Sequence, residues 1–574
     1  MEVINFASAN CKNCYKCLRT CPVKAIRMEN DQAQIVDERC ITCGTCLTIC
    51  PQNAKTIKSD VQRVKELLKR DKDIAVSLAP SFAGVFPFKH YSQIVSALKR
   101  LGFSNVYQTS VGARLIASDY LKHYNDKSKP NLITTACPAI NYLVQKYYPE
   151  LVDCLVPVVS PMEAHGRYLK KIKGHKEVAF IGPCLAKKVE IHDSGNYGID
   201  AALTFEELLA WWKEEGIDPI LEPVNEDENG FCDDANFYPI PGGSYKTIEP
   251  LIEDPWREFI EVSGKENCML MLDELRKGEF HRTWIEMNAC EGGCVNGPAI
   301  GGIERGLFKR IKCVKIFARH NSPCRESILL TDQKPSLDFE KHFEPTPIKT
   351  KKPSDQDITR ILEATGKYRP EHELNCGACG YNSCREKAEA VYNGMAEIHM
   401  CLPYMRNRAE SLSNLIIQST PNAIIAVDKD MNVQVFNNGA EKMFRVNSAD
   451  MIHKPLSLLF DDDDFKFVSK THQNIKKKKV VLPEYGLITQ QNIYYEKEHS
   501  LVISIITDIT EQEQVRERDA RLRKETVKTA QEVIDKQMRV AQEIASVLGE
   551  TTAETKVLLN KIQRLLIDEI PGEE

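Results

Sequence analysis

Residues 286–294 read Glu-Met-Asn-Ala-Cys-Glu-Gly-Gly-Cys, which places two cysteines around a pair of glycines. Two further short motifs lie upstream: Thr-Thr-Ala-Cys-Pro-Ala at 134–139 and Gly-Pro-Cys-Leu-Ala-Lys-Lys-Val-Glu at 182–190. Together the three motifs supply four thiols, which are Cys137, Cys184, Cys290 and Cys294. Four thiolates are the ligand set of a [4Fe–4S] cluster, and this pattern predicts such a site.

Predicted strands and helices alternate along the chain around these motifs. Short apolar runs predict strands, and longer runs predict helices. The strands are predicted at 73–80, 105–108, 132–135, 178–181 and 202–204, and the helices at 91–101 and 111–123. This alternation predicts an α/β architecture, in which cofactor-binding loops follow the strands.

The three motifs resemble the H-cluster motifs of [FeFe] hydrogenases. The resemblance implies that the motif cysteines hold a [4Fe–4S] cluster and that Cys294 also bridges to a diiron subsite bearing CO and cyanide. It implies that Lys187 hydrogen-bonds a cyanide ligand, since an ammonium suits an anionic group in a buried pocket. Pro183, Gly182 and Asn288 complete the predicted cofactor pocket. Catalytic members carry methionines at the positions of the last two, so we expect a more open and more polar pocket.

Ala136 departs from the family pattern. Catalytic members read Cys-Cys-Pro where this chain reads Ala-Cys-Pro at 136–138, and the missing thiol passes protons to the diiron site. Alanine has no exchangeable proton, and the upstream stretch 111–118 contains no acid. We therefore expect a low-activity enzyme that oxidises H2 reversibly to protons and electrons, with a ferredoxin-type acceptor. Gly292 and Gly293 are expected to let the backbone approach the cofactor closely.

The composition of the 574-residue chain predicts several domains that bind metal. The net charge of -5 gives no support for nucleic-acid binding, and no run of about 18 apolar residues predicts a membrane helix. The N-terminus lacks the pattern of a secretory signal, so we expect a cytoplasmic protein. The 21 cysteines fall in tight groups, which favours metal ligation over disulfides.

Residues 11–22 and 40–51 repeat the pattern Cys-x2-Cys-x2-Cys-x3-Cys-Pro, the signature of two-cluster bacterial ferredoxins. In that signature the fourth cysteine of each run binds the other cluster. One [4Fe–4S] cluster is therefore expected on Cys11, Cys14, Cys17 and Cys50, and the other on Cys40, Cys43, Cys46 and Cys21. A zinc ribbon is the weaker alternative, because zinc needs only four ligands at looser spacing. We predict an electron-transfer domain over residues 1–57.

A further cysteine group follows a linker that is rich in proline and lysine, predicted at 341–357. Its spacing is Cys-x2-Cys-x4-Cys-x16-Cys, and its members are Cys376, Cys379, Cys384 and Cys401. The group resembles the four-cysteine [4Fe–4S] module of corrinoid iron–sulfur proteins and of membrane electron-transfer subunits; zinc is the alternative. We predict the module over 358–408, with a helix over 385–400 between the last two ligands.

Residues 410–513 resemble a PAS sensor domain. A predicted helix at 412–419 is followed by a hairpin pattern over 421–437, and the final strand ends in Asp-Ile-Thr. The acidic run 461–464 and the basic run 476–479 are predicted to be solvated loops. The sequence does not identify a ligand for this domain.

Residues 514–570 are predicted to be helical. Apolar or small residues recur at coiled-coil spacing, at Val527, Ala530, Ile534, Ala541, Ile544 and Leu548. Thr551 and Glu554 form a capping-box pattern that predicts a second helix. Two helices favour a homodimer; an intramolecular helical hairpin is the alternative. Because no output module is recognised here, we expect a signalling partner, which the resemblance suggests is a serine/threonine kinase or phosphatase.

The leading hypothesis is a cytoplasmic H2 or redox sensor of the sensory [FeFe]-hydrogenase type, working anaerobically. It predicts a multidomain α/β and α+β protein with a hydrogenase-like domain over 72–340. The cofactors are two [4Fe–4S] clusters in the ferredoxin domain, an H-cluster, and one further [4Fe–4S] cluster. One alternative is a catalytic, ferredoxin-linked hydrogenase whose PAS domain docks a subunit. The other is an electron-transfer or iron–sulfur assembly protein without the diiron subsite, against which Lys187 and Cys294 argue.

Overall fold

A computed structural model of the chain describes residues 3–7, 10–70, 73–193, 198–225, 234–301, 305–319, 337–548, 556–558 and 560–562. The chain divides into two compact units, Met1–Tyr404 and Met405–Glu574. Each unit is described by itself below. Among the helices of the described residues, none is long and apolar enough for a membrane crossing.

The first unit begins with a small ferredoxin-like fold built from two antiparallel strand pairs and two short helices. In chain order its elements are β1 (Ile4–Phe6), α1 (Lys16–Thr20), β2 (Ile26–Glu29), β3 (Gln32–Ile35), α2 (Thr45–Thr48) and β4 (Lys55–Ile57). Strand β1 pairs with β4, and β2 pairs with β3. Each helix starts directly after a residue with positive φ, Tyr15 or Gly44, so each cysteine loop turns sharply before its helix.

Two parallel sheets form the centre of the first unit. Their strands are β5 (Ile74–Leu78), β6 (Asn105–Gln108), β7 (Asn131–Ile133), β8 (Glu177–Gly182), β9 (Ala201–Thr204), β10 (Glu258–Ser263) and β11 (Thr283–Asn288). One sheet has the order β6-β5-β8-β9 and the other β10-β11-β7, and all pairings are parallel. The predicted α/β architecture is confirmed, and β10 and β11 are additions that the strand predictions lacked.

Helices cover both sheets. They are α3 (Val61–Arg70), α4 (Phe82–Val85), α5 (Tyr91–Arg100), α6 (Ser110–Leu115), α7 (Ala117–Asn125), α8 (Pro138–Tyr147), α9 (Pro161–Lys171), α10 (Leu185–Glu190), α11 (Phe205–Glu214), α12 (Gly243–Ile248), α13 (Lys265–Arg276) and α14 (Leu307–Arg319). The run predicted as one helix over 111–123 is two helices, α6 and α7. All five residues of β5 are buried, as expected for a parallel strand covered on both faces.

His165 on α9 lies fully inside the core, where its Nδ1 is 2.7 Å from Ser77 Oγ. Burial lowers the pKa of this imidazole to about 3, against about 6.5 in an unfolded chain. Below pH 6.5 the His165 imidazole therefore binds a proton in the unfolded state but not in the folded state. Folding stability falls with falling pH, by about 2 kcal/mol between pH 6.5 and pH 5.

We expect a His165→Asn variant to lose this part of the acid sensitivity. Urea unfolding at pH 7 and at pH 5 measures the difference for the native chain and the variant. His342→Asn, at a histidine that is 80% exposed, is the control and should retain the native difference. An unchanged pH dependence in His165→Asn would contradict the assignment.

The segment after the sheets returns along the same unit. The backbone N–H of Lys341 donates to the carbonyl oxygen of Pro157, and that of Thr346 donates to Gln145, so this part of the predicted linker packs on the domain. Helices α15 (Asp355–Glu363) and α16 (Cys384–Tyr392) follow. The helix predicted over 385–400 is therefore shorter than expected: α16 ends at Tyr392, and a single 3-10 turn covers Ile398–Met400.

The second unit contains a five-stranded antiparallel sheet of the order β13-β12-β16-β15-β14. Its strands are β12 (Ala423–Val427), β13 (Val433–Phe436), β14 (Ile475–Leu482), β15 (Leu487–Glu496) and β16 (Leu501–Asp508). The helices of this region are α17 (Leu402–Ser419), α18 (Asn438–Phe444), α19 (Ser448–Met451), α20 (Asp463–Thr471) and α21 (Thr510–Leu548). The predicted hairpin over 421–437 corresponds to β12 and β13.

The two charged runs of this unit are only partly the predicted loops, since Asp461 and Asp462 alone lie outside helices and strands. The basic run 476–479 lies within β14, and the acidic run 461–464 leads into the first turn of α20. Lys478 Nζ lies 2.7 Å from Asp464 Oδ1, so one ion pair links the two runs. The capping-box pair Thr551 and Glu554 lies outside the described residues.

Candidate functional site

The three cysteine motifs begin where three parallel strands end. The first follows β7, the second starts at the last residue of β8, and the third starts within the last three residues of β11. Strands β7 and β11 are neighbours in one sheet, and β8 belongs to the other. The carboxyl ends of parallel strands are the usual place for cofactors. Here they bring the four motif cysteines to one pocket, which is lined by Cys137, Cys184, Cys290 and Cys294.

Two of these cysteines stand at helix starts. Cys137 directly precedes α8, and Cys184 directly precedes α10. Free N–H groups and the helix dipole favour negative charge at that end of a helix. A cluster held by four thiolates is anionic, so this arrangement suits it.

Burial and mutual proximity govern the charge of these thiols. Burial, followed by the nearby Cys137, raises the pKa of Cys184 to about 11. Burial also raises the pKa of Cys290 and of Cys294, and each is raised further by the other motif cysteines. Such thiols lose their protons only to a metal. A closely grouped set of four free cysteines therefore fits an iron–sulfur cluster.

The structure places two of the other predicted pocket residues, Pro183 and Asn288, in the lining of the cysteine pocket, whereas Gly182 and Lys187 are not part of that lining. Asn288 Nδ2 donates to Glu286 Oε1 over 3.2 Å. A side chain at Gly182 would begin 2.6 Å from the Phe180 ring. Phe180 therefore fills the space beside Gly182.

Lys187 has a partner within its own helix. Its Nζ donates to Glu190 Oε2 over 2.8 Å, and both side chains are largely buried. Ser160 Oγ donates to the same carboxylate oxygen over 3.1 Å. An ammonium has three donors, so the bond to Glu190 holds Lys187 in place and leaves donors for a ligand.

Gly292 and Gly293 are required by the protein itself. Both have positive φ, 74° and 85°, which glycine adopts most readily. A Cβ on Gly293 would lie 2.5 Å from the carbonyl oxygen of Pro239, and one on Gly292 would lie 2.8 Å from Leu307 Cδ1. In the structure, these glycines permit a close approach to neighbouring chain segments.

The ferredoxin cysteines form the two predicted groups. One pocket is lined by Cys11, Cys14, Cys17 and Cys50. The other group consists of Cys21, Cys40, Cys43 and Cys46, which lie close enough to affect the pKa values of one another. Burial, followed by the neighbouring thiols, raises the pKa of Cys40 to about 12. Thr42 and Cys43 also line the motif pocket, so the second ferredoxin group directly adjoins it.

The third cysteine group also converges. Its pocket is lined by Cys376, Cys379, Cys384 and Cys401. Lys367 Nζ lies 3.3 Å from Cys401 Sγ, and Lys387 lies in the same lining. Two lysines beside four thiols offset the negative charge that a cluster would bring.

Glu286 is a buried residue of this site that the sequence reasoning did not single out. Its carboxylate accepts the backbone N–H groups of Gly242, Ser244 and Tyr245 over 2.9–3.2 Å, and the Ser244 hydroxyl also donates to it. Burial raises its pKa, and these donors lower it. Glu286 lies within the motif at 286–294. The only sequence feature that could have indicated its role is the presence of a carboxylate in a buried strand.

Outside the motifs, the structure places the remaining thiols individually. Cys268 is buried and packs in the core, as a lone cysteine is expected to do. Cys154 and Cys313 are half-buried. Cys232 and Cys324 lie outside the described residues.

The matches to known families fall on the parts of the chain that contain these cysteine groups and the second unit. The model for the iron only hydrogenase large subunit, C-terminal domain, matches residues 72–298. A 4Fe-4S dicluster domain matches 3–51, an Fe–S cluster family matches 373–403, and the PAS fold matches 413–486. The chain thus combines a region that matches the hydrogenase domain with regions that match two iron–sulfur families and the PAS fold.

Particular relatives share the hydrogenase region. The chain is similar to the periplasmic [Fe] hydrogenase large subunit of Nitratidesulfovibrio vulgaris, at 26% identity over 371 residues, covering 53% of this chain and 88% of that protein. Iron hydrogenase 1 of Clostridium pasteurianum is 25% identical over 299 residues, covering 42% of this chain and 52% of the relative, so the match spans about half of that relative's length. A solved structure of the [FeFe]-hydrogenase HydA(deltaEFG) covers 51% of this chain and 100% of its own, at 19% identity and a TM-score of 0.39.

Proposed function

We propose that this protein is an H2 or redox sensor in which a hydrogenase site of low turnover reports to a PAS domain. The observation that carries the proposal is the pocket of four motif cysteines, which adjoins the second ferredoxin group while Ala136 stands at the relay position. Such a site suits binding and electron exchange, and it lacks the side chain that fast proton transfer requires.

In this proposal each pocket residue has one task. Cys137, Cys184 and Cys290 hold the [4Fe–4S] part of an H-cluster, and Cys294 holds that part and the diiron subsite. When bound, the diiron subsite with its CO and cyanide ligands supplies the chemistry of H2 splitting. Lys187, fixed by Glu190, donates to a cyanide ligand.

Proton movement is the slow step in this proposal. Thr135 and Cys137 flank Ala136, and the single hydroxyl proton of Thr135 is shared between the backbone carbonyls of Val156 and Val158, which lie 3.0 and 2.8 Å from its oxygen. This hydroxyl is therefore committed to the backbone and is no substitute for the missing thiol. Helix α6, which holds most of the upstream stretch, contains no acidic residue.

The signal leaves through the second unit in this proposal. Helix α21 has 39 residues, and Val527, Ala530 and Ile534 are its half-exposed stripe. An apolar stripe at this spacing favours a coiled coil with a second copy. In this proposal the protein is a homodimer in an anaerobic cytoplasm. It exchanges electrons with a ferredoxin-type carrier, and a serine/threonine kinase or phosphatase is the signalling partner that responds to it.

An infrared spectrum of the anaerobically matured protein, first under argon and then under H2, tests the proposal. We expect CO and cyanide stretching bands that shift when H2 is added, because only a diiron subsite supplies such ligands. A Cys294→Ala variant is the control and should show no bands. Absence of bands in the native chain, with active maturases, would favour the electron-transfer or assembly protein. Bands together with fast turnover would favour the catalytic hydrogenase.

A further inference from the structure

The loop that carries the first cysteines of the third group lies against the ferredoxin domain. Arg19 connects the two parts, since its guanidinium donates to the carbonyl oxygens of Cys14 and Ala378 over 3.0 and 3.1 Å. Lys24 Nζ donates to the carbonyl oxygen of Gly380 over 2.8 Å. These bonds join segments more than 350 residues apart in the chain.

Further bonds continue along the same contact. The backbone N–H of Met28 donates to the carbonyl oxygen of Met395 over 3.2 Å, and that of Asn30 donates to Glu397 Oε1 over 2.9 Å. The segment that follows α16 therefore packs against the β2–β3 hairpin. Each of the four bonds between the two parts uses a main-chain group on at least one side, and the bond from Met28 to Met395 uses main-chain groups on both sides.

A shared hydrophobic core fills the space between these bonds. Its buried residues come from both parts, and they are Cys17, Leu18, Ile26, Met28, Ala33, Tyr381, Ala396 and Met400. Cys11, Tyr15 and Cys379 pack against the same core, and so do Cys21 and Cys46 of the second ferredoxin group. Gly380 fits closely here: it has a φ of 96°, and a Cβ would lie 2.9 Å from Leu18 Cγ.

We propose that the third iron–sulfur module docks on the Cys11–Cys17 loop, with Tyr15 at the junction, and is the outer terminus of a linear electron chain. The order is the third cysteine group, the Cys11 group, the Cys40 group and the motif pocket. The inner contact rests on Cys43, which belongs to the Cys40 group and lines the motif pocket. The inference rests on the proposed function for its electron source, but the docking stands without it.

Each step in this chain moves one electron between neighbouring clusters, so one cluster is oxidised as the next is reduced. The oxidation of one H2 releases two electrons and two protons, and the protons leave at the motif pocket. The electrons reach the third module one at a time. From there a one-electron carrier of the ferredoxin class accepts them at the exposed Cys376 edge.

Electron paramagnetic resonance of dithionite-reduced protein tests the docking without H2. In a Cys40→Ala/Cys46→Ala variant, which lacks the second ferredoxin cluster, the third module and the Cys11 cluster should show a mutual spin–spin splitting. Adding Cys384→Ala and Cys401→Ala removes the third cluster and should abolish that splitting. A spectrum equal to the sum of two unsplit clusters would overturn the docking.

Two glycine variants test the same contact while every cluster ligand is kept. Gly380→Ala forces a Cβ against Leu18 and should weaken the interaction between the two clusters. Gly394→Ala is the matched control, because Gly394 also has a positive φ, 68°, but nothing lies within 4 Å of its Cβ position. Equal spectra for both variants, at full iron and sulfide content, would contradict the proposed junction.

Reduction by H2 then tests the order. In a Cys14→Ala/Cys50→Ala variant, H2 should no longer reduce the third cluster, although dithionite still does. In the Cys384→Ala/Cys401→Ala variant, H2 should still reduce both ferredoxin clusters. Reduction of the third cluster by H2 without the Cys11 cluster would refute the linear order. If H2 reduces no cluster in the native chain, the proposed function fails, and the dithionite spectra still decide the docking.

Discussion

An Ala136→Cys variant should turn over H2 about 10²-fold faster than the native chain, because a positioned acid–base group contributes about 10²- to 10⁴-fold to proton-transfer steps. The substitution adds one sulfur atom at a half-buried position, so the fold should accept it. The lower end of that range is expected, since α6 offers no acid to continue the path.

The measurement is the rate of H2 evolution per diiron subsite, with occupancy taken from the infrared bands. Ala136→Ser is the matched control: it adds a group of similar size, but a hydroxyl is a much weaker acid than a thiol, so its rate should stay close to the native one. Equal rates for the cysteine and serine variants at full occupancy would show that proton transfer at this position does not limit turnover.

The sequence was most informative where ligand spacing is local. The two ferredoxin runs and the third cysteine group were recognisable because each cluster draws three ligands from within about a dozen residues. Strand β5 was equally visible, since a run of apolar residues such as Ile74–Leu78 fits a strand buried on both faces. The first two motifs follow β7 and β8, close to the strands predicted at 132–135 and 178–181, whereas β11, at the third motif, was not predicted.

Features that depend on distant contacts were not predictable. Strand β11 contains Glu286, and a carboxylate argues against a buried strand unless its donors are known; here they come from Gly242, Ser244 and Tyr245. The filling of the Gly182 position by Phe180 is likewise a matter of packing. Gly380 packs on Leu18, which lies near the other end of the same unit in the sequence. No local sequence pattern predicts this contact.

Lys188 gives the second large expected effect, this time on stability. It is adjacent to Lys187 in the sequence, and nothing in the pattern separates the two residues. In the structure its Nζ lies 2.9 Å from both carboxylate oxygens of Glu207 and 3.1 Å from Asp60 Oδ2. Lys188 is 3% exposed and Glu207 is 7% exposed, so water cannot replace the lost partner.

Glu207 is also the point where the segment after the ferredoxin domain is tied to the sheets. It accepts the backbone N–H of Asp60 over 2.8 Å and that of Thr204 over 2.7 Å, the latter as part of the cap that starts α11. A Lys188→Met change keeps most of the volume but leaves this carboxylate buried without its cation. Breaking a buried ion pair from one side costs about 3–5 kcal/mol.

We therefore expect Lys188→Met to lower the urea midpoint of the first unit, followed both by circular dichroism and by loss of iron–sulfur absorbance. Lys213→Met, at an exposed lysine on α11, is the control and should change stability by less than about 0.5 kcal/mol. The Lys188→Met/Glu207→Gln double variant should recover part of the loss, because the amide removes the uncompensated charge and its one oxygen still accepts from Asp60, although the acceptor for Thr204 is lost. If the double variant is no more stable than Lys188→Met, the loss comes from packing around the lysine stem, and the buried charge is not its cause.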